Sequence, residues 1–102
     1  MGRLPKTVTI SLGRFVERLE PLPRMMNEPL YLDVAEVEAL RLVELEKLTC
    51  EEAGMRMNVS RNTVWRLVES GREKLVRAII EGRPIIILRE QLIEDSPARG
   101  RR

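Results

Sequence analysis

Residues Asn58–Leu67 read NVSRNTVWRL. The preceding residues, 49–57, read TCEEAGMRM, and the following ones, 68–82, read VESGREKLVRAIIEG. Both flanks are helical in pattern, yet the helix is interrupted at Asn58-Val59-Ser60 and restarted at once. Two helices crossing steeply through a short turn require such an interruption. One turn residue must adopt the left-handed conformation, where asparagine is the best substitute for glycine, and Asn58 fills that position. A small residue must stand where the short helix closely touches the next one, and Gly54 does, with Ala53 beside it. Val59 plugs the angle, Ser60 caps the restart, and Val64 and Leu67 face back into the junction. The stretch therefore predicts a helix-turn-helix.

Upstream, Asp33 opens a first helix as an N-cap, with Glu36 three residues on as in a capping box. Val34, Val37, Leu40 and Val43 form its apolar face, which Ala35, Ala39 and Leu42 widen; it ends near Glu46. Thr49 opens the second helix, with Glu52 completing another capping box, and Ala53, Gly54 and Met57 are its inward residues. It has about eight residues, so packing must hold it rather than its own propensity. Ser60 opens the third, whose stripe is Val64, Leu67, Val68, Leu75 and Ile79, with Val76 beside it. Gly71 interrupts the stripe and marks a close helix contact or a bend. Gly82 and Pro84 stop this helix.

Outside the helices the patterns change. Thr7–Leu12, TVTISL, alternates apolar and polar residues and predicts a strand. Residues 13–29 hold Gly13, Pro21, Pro23 and Pro29 and read as a connector, with a short turn of helix near Phe15 to Leu19. Leu30 to Leu32 is extended after Pro29. Ile85–Leu88, IIIL, reads as a strand buried on both faces, paired with Thr7–Leu12 or with a partner chain. The expected fold is mainly α: a tri-helical helix-turn-helix core with short flanking β-strands near both termini. Residues 1–29 form the arm, strand and connector, 30–92 the helix-turn-helix domain with its C-terminal strand, and 93–102 a flexible basic tail.

Composition narrows the function. The 102 residues include one cysteine and no histidine. An intrachain disulfide, a Cys/His zinc site and histidine-based catalysis are thereby excluded, and no enzyme activity, metal or cofactor is predicted. No apolar run approaches the ~20 residues of a membrane span, and no signal peptide is evident, so a cytoplasmic location is expected. The formal net charge is only +2. It is unevenly spread: residues 33–48 hold five acidic and two basic residues, whereas 61–83 hold six basic and three acidic ones. Such asymmetry suits a face that binds a polyanion, or simply two solvated helices.

In a helix-turn-helix the second helix enters the major groove and its N-terminal residues meet base edges. Arg61, Asn62, Trp65, Arg66 and Glu69 are the outward positions. Arginine pairs bidentately with guanine and asparagine with adenine, and Thr63 suits a phosphate or a thymine methyl group. The helix N-termini behind Thr49 and Ser60 offer phosphate sites, and Arg72 and Arg56 suit backbone contacts. Arg66 serves equally for a salt bridge to an acidic residue of the first or second helix. Trp65, about 100° off the apolar stripe, is read either as partly buried or as touching DNA.

The chain also resembles a group of small uncharacterised prokaryotic proteins predicted to bind DNA through a helix-turn-helix like region four of sigma factors. The likeness rests on Glu38–Leu42 (EALRL), Leu48, Glu51–Met57, Val59–Thr63 (VSRNT) and Gly82-Arg83 before Ile85, and spans residues 30–88. Asn58 stands where that group usually has glycine, Gly54 and Gly71 near alanines, and Val64 at an aromatic position. The resemblance implies DNA binding. The expected function is sequence-specific double-stranded DNA binding by a transcriptional regulator; a protein-docking module of the transcription machinery is the alternative. A homodimer is expected, because specific binding usually needs two half-sites and Ile79-Ile80 suits such a contact. No small-molecule ligand is predicted.

Overall fold

The computed structural model describes residues 7–89. The predicted basic tail and the first six residues of the arm lie outside them. The elements are β1 (Arg18–Leu19), β2 (Leu30–Asp33), α1 (Val34–Leu40), a π-helical turn (Arg41–Leu45), α2 (Cys50–Met57), α3 (Arg61–Glu81) and β3 (Ile85–Leu88).

Each helix begins where its cap residue stands. Asp33 is extended and accepts from the amides of Ala35 and Glu36, while Glu36 reaches back to the Asp33 amide at 2.9 Å. Thr49 and Glu52 repeat this reciprocal arrangement at α2. Ser60 accepts from the Thr63 amide at α3. The first helical stretch continues through the π turn, which the Glu46 amide closes onto the Arg41 carbonyl. It ends because Lys47 turns left-handed at φ 62, letting the Leu48 amide bond back to Leu42 at 3.0 Å. Asn58 is left-handed as expected (φ 62, ψ 43), and Gly82 likewise (φ 63, ψ 43).

The three strands form one sheet in the order β1-β3-β2, with β2 parallel and β1 antiparallel to β3. Ile85 pairs with Leu30 and Leu19, so the apolar strand is the central one and is satisfied within its own chain. Two expectations are corrected here. Thr7–Leu12 is not a strand, and residues 15–19 contribute no helix but the strand β1. The alternation in Thr7–Leu12 is nevertheless meaningful. Val8 is buried, Ile10 and Leu12 are half-buried, and Thr7, Thr9 and Ser11 are exposed. This segment lies extended against helices instead of a strand. The Thr9 amide bonds to Met57 at 2.8 Å, and the Ser11 amide and hydroxyl bond to the buried Glu38 carboxylate at 3.1 and 2.8 Å. Arg41 satisfies the other side of that carboxylate at 3.2 Å.

Two cores result. One joins Val8, Ala35, Ala39, Leu42, Ala53, Met57, Val64 and Val68 between the helices. The other joins Leu32, Ala78, Ile85 and Ile87 under the sheet, with Phe15, Leu30, Val37 and Leu75 against it. Helix α3 serves both. Its buried stripe runs Val64, Val68, Gly71, Ala78, with Leu75 half-buried. This corrects the expected inward place of Ile79: Ala78 takes the next buried position of the 3.6-residue period, and Ile79 is 76% exposed. Gly71 marks a contact, since a Cβ there would meet the Leu40 side chain at 2.7 Å.

Gly54 is equally confined: a Cβ would stand 2.7 Å from the Val59 carbonyl oxygen. Because that atom is backbone in the turn, Gly54→Ala is expected to cost ~1–3 kcal/mol by overpacking. Gly13→Ala, with nothing within 4 Å, is the clash-free control and is expected to stabilise by ~0.4–1 kcal/mol through the unfolded chain's lost entropy, both read by urea denaturation. Lys47→Gly removes the left-handed penalty of a non-glycine residue, less glycine's greater unfolded-state entropy. It is expected to stabilise by roughly 0.5–1 kcal/mol in the same experiment.

Candidate functional site

The residues singled out from the sequence gather on α2, the turn and the first half of α3. Arg61 and Asn62 occupy the first two positions of α3 and are both exposed. Trp65, Arg66 and Glu69 follow on the same outward face, and Trp65 is 55% exposed. The indole is thus partly covered and also presents surface on the outward face, about 100° round the helix from the buried Val64. Thr63 is half-buried, and its hydroxyl lies 3.0 Å from that of Ser60. Thr49 and Ser60 are exposed, but each has its side chain engaged in capping.

The ion pairs sort the basic residues of α3. Arg72 is bound by Glu44 of the π turn, with Nε to carboxylate at 2.9 Å. That hydrogen bond, followed by the charge of Glu44, raises the Arg72 pKa above its ordinary value. Lys74 reaches Glu36 at 2.9 Å. Arg77 bridges Glu73 and Glu81 along its own helix, and Arg83 pairs with Glu81. Arg61 and Arg66 form no ion pair among the described residues, and neither does Arg56 at the end of α2. The bridge to an acidic residue of the first or second helix, considered for Arg66, is made instead by Arg72, to Glu44 of the π turn that follows α1. The acidic first helix thus neutralises the middle of α3 and leaves the positive charge of its N-terminal turns uncompensated.

The two helix N-termini differ as well. The first turn of α2 already holds Glu51 and Glu52, which complement the helix dipole. The first turn of α3 holds no acidic residue. Its amides and dipole favour an anion, with Arg61 beside them. One neighbour could not be found from sequence: the Thr7 carbonyl accepts from Asn58 Nδ2 at 3.2 Å, bringing the N-terminal segment to the turn. The two residues are 51 positions apart, and nothing local in either announces the other.

The model of a family described as "protein of unknown function DUF134" matches residues 2–95, and the chain belongs to that family. A UPF0251 protein of Archaeoglobus fulgidus is 41% identical over 86 residues, covering 84% of this chain and 82% of the relative. One from Pyrococcus furiosus is 44% identical over 90 residues, covering 85% and 83%. A third, from Thermococcus kodakarensis, is 55% identical over 60 residues, which span 59% of this chain and only 53% of that relative. No solved structure matches this chain. Among the described residues no helix is long and apolar enough to cross a membrane.

Ser60→Ala removes the one side-chain cap of α3 and is expected to cost ~1 kcal/mol. Chemical denaturation measures the loss, and unchanged stability would mean that the Ser60–Thr63 bond contributes nothing to the restart of the helix.

Proposed function

We propose that this protein binds double-stranded DNA in a sequence-specific manner and regulates transcription. The observation that carries the reading is the pair of uncompensated arginines, Arg61 and Arg66, on the outward face of a helix whose first turn lacks acidic residues. A helix-turn-helix presents this end of its second helix to the major groove. Arg61 and Asn62 are exposed there and have the chemistry to read guanine and adenine edges, with Arg66 one turn further on. Trp65 offers an apolar surface on the same side. Thr63 and the amides of the first turn suit a phosphate. Arg56 suits a second phosphate contact, whereas Arg72 would have to exchange its bond to Glu44 for one. The resemblance of the EALRL, EEA and VSRNT segments to a group of small proteins predicted to bind DNA supports the same reading.

The test is selection from random duplex DNA, followed by binding of the enriched site over a range of salt. A dominant sequence is expected, with affinity falling steeply as salt rises because neutralised phosphates release their counterions. Arg61→Ala combined with Asn62→Ala is expected to weaken the selected site at least ~10-fold, since each bidentate base contact is worth ~1–3 kcal/mol. The circular dichroism spectrum should not change, both residues being exposed. Failure of any sequence to enrich, with no salt dependence, would remove the DNA reading and favour docking onto a protein of the transcription machinery.

A further inference from the structure

The outward face of α3 changes character along its length. Its first half presents Arg61, Asn62, Trp65 and Arg66; its second half presents Val76, Ile79 and Ile80, which are 58%, 76% and 69% exposed. The loop after β1 extends this apolar surface. Leu22 is 98% exposed and Met25 58%, and the Met25 amide bonds to the Gly82 carbonyl at the end of α3. Between loop and helix runs a groove of about 450 Å³, lined by Leu22, Met25, Leu75, Ala78 and Ile79 among others. The small Ala78 and Gly82 leave it open. Patches of this kind are uncommon on monomers, where single exposed apolar residues are the rule.

We propose that this surface binds a second copy of the same chain. Three features favour that occupant. First, the surface carries both a ridge, Val76–Ile79–Ile80, and an adjoining groove, so a two-fold axis can set the ridge of each copy into the groove of the other. That self-complementarity is what an isologous interface requires. Second, its charged rim is balanced within each copy. Glu73, Arg77, Glu81 and Arg83 are two acids and two bases joined by ion pairs, so two identical rims do not repel. The N-terminal half of α3, with its unpaired arginines, would repel a copy of itself. Third, Val76, Ile79, Ile80, Leu22, Met25 and the 41% exposed Met26 together expose as much surface as about four free large side chains. With the groove walls this approaches the ~800 Å² per partner of a standard interface.

The expected homodimer thus loses one of its grounds, the apolar strand, which β1 and β2 already cover. It keeps the Ile79-Ile80 contact, now part of a defined surface. Ile79 lies 18 residues beyond Arg61, about 27 Å along the helix axis. A copy seated there leaves the arginine-bearing end free, so the surface stands independently of the DNA reading.

Sedimentation equilibrium of the chain across ~1–100 µM, where interfaces of this size give measurable association, tests the proposal. A species of twice the 11.8 kDa chain mass is expected. Ile79→Glu with Ile80→Glu should weaken association at least 100-fold with an unchanged circular dichroism spectrum. Leu22→Asp, outside the helix, should weaken it as well should the double variant misfold. A monomeric wild type overturns the proposal and leaves the patch to a different partner. Undiminished dimerisation of the folded variants overturns it too, placing the contact elsewhere. Salt-dependent binding of the monomeric variant to non-specific duplex DNA reports separately on the arginine end.

Discussion

Helix α3 can lie against both cores only because its buried stripe is kept shallow at the point of closest approach. Val64 and Val68 enter the helical core, Leu75 and Ala78 the core beneath the sheet, and Gly71 stands between them against Leu40. A larger residue at Gly71 would have to displace the Leu40 side chain, whose Cδ1 a Cβ there would meet at 2.7 Å. Every other element is placed relative to this rod. Helix α2 is fixed through Gly54 and Val59, the sheet through the left-handed stop at Gly82, and the N-terminal segment through Met57 and Asn58.

Charge is distributed by the same packing. Glu36 and Glu44, brought against α3 by the α1 contact, take up Lys74 and Arg72. The exposed Arg72–Glu44 pair contributes little to stability, because solvent screens it, whereas the Glu36 carboxylate is buried and takes its bonds from Lys74 and Ser70. Their consequence is electrostatic localisation. A chain of net charge +2 offers a concentrated positive surface only if most of its arginines are neutralised somewhere else. Here the neutralised ones are in the middle and at the end of α3, and the free ones are at its start. The weak overall charge is therefore compatible with binding a polyanion at one end of the molecule and an uncharged surface at the other.

The buried Glu38 shows a second use of ion pairing. A carboxylate 1% exposed is costly unless fully bonded, and its partners are Ser11 and Arg41. Those bonds hold the segment around Ser11 extended along α1. The segment thereby acquires strand-like alternation without a strand partner, its backbone groups being satisfied by helix ends and side chains.

The local chemistry of the sequence determined the helix starts at Asp33, Thr49 and Ser60, the left-handed residues Asn58 and Gly82, and the strand at Ile85–Leu88. Each of these depends on groups within a few residues: a cap oxygen three positions from its amide, a conformation that asparagine or glycine tolerates, a β-branched run after a stop. The positions of Arg61, Asn62, Trp65 and Arg66 on one exposed face follow from helical period alone. Tertiary structure decided what no local rule contains. It gave Thr7–Leu12 a helix surface instead of a strand, chose Arg18–Leu19 as the partner of Ile85-Ile86, and assigned Arg72 rather than Arg66 to an acidic partner. It also turned Ile79 outward, because Gly71 and Ala78 set the phase of the buried stripe and a fixed period leaves no choice for its neighbours.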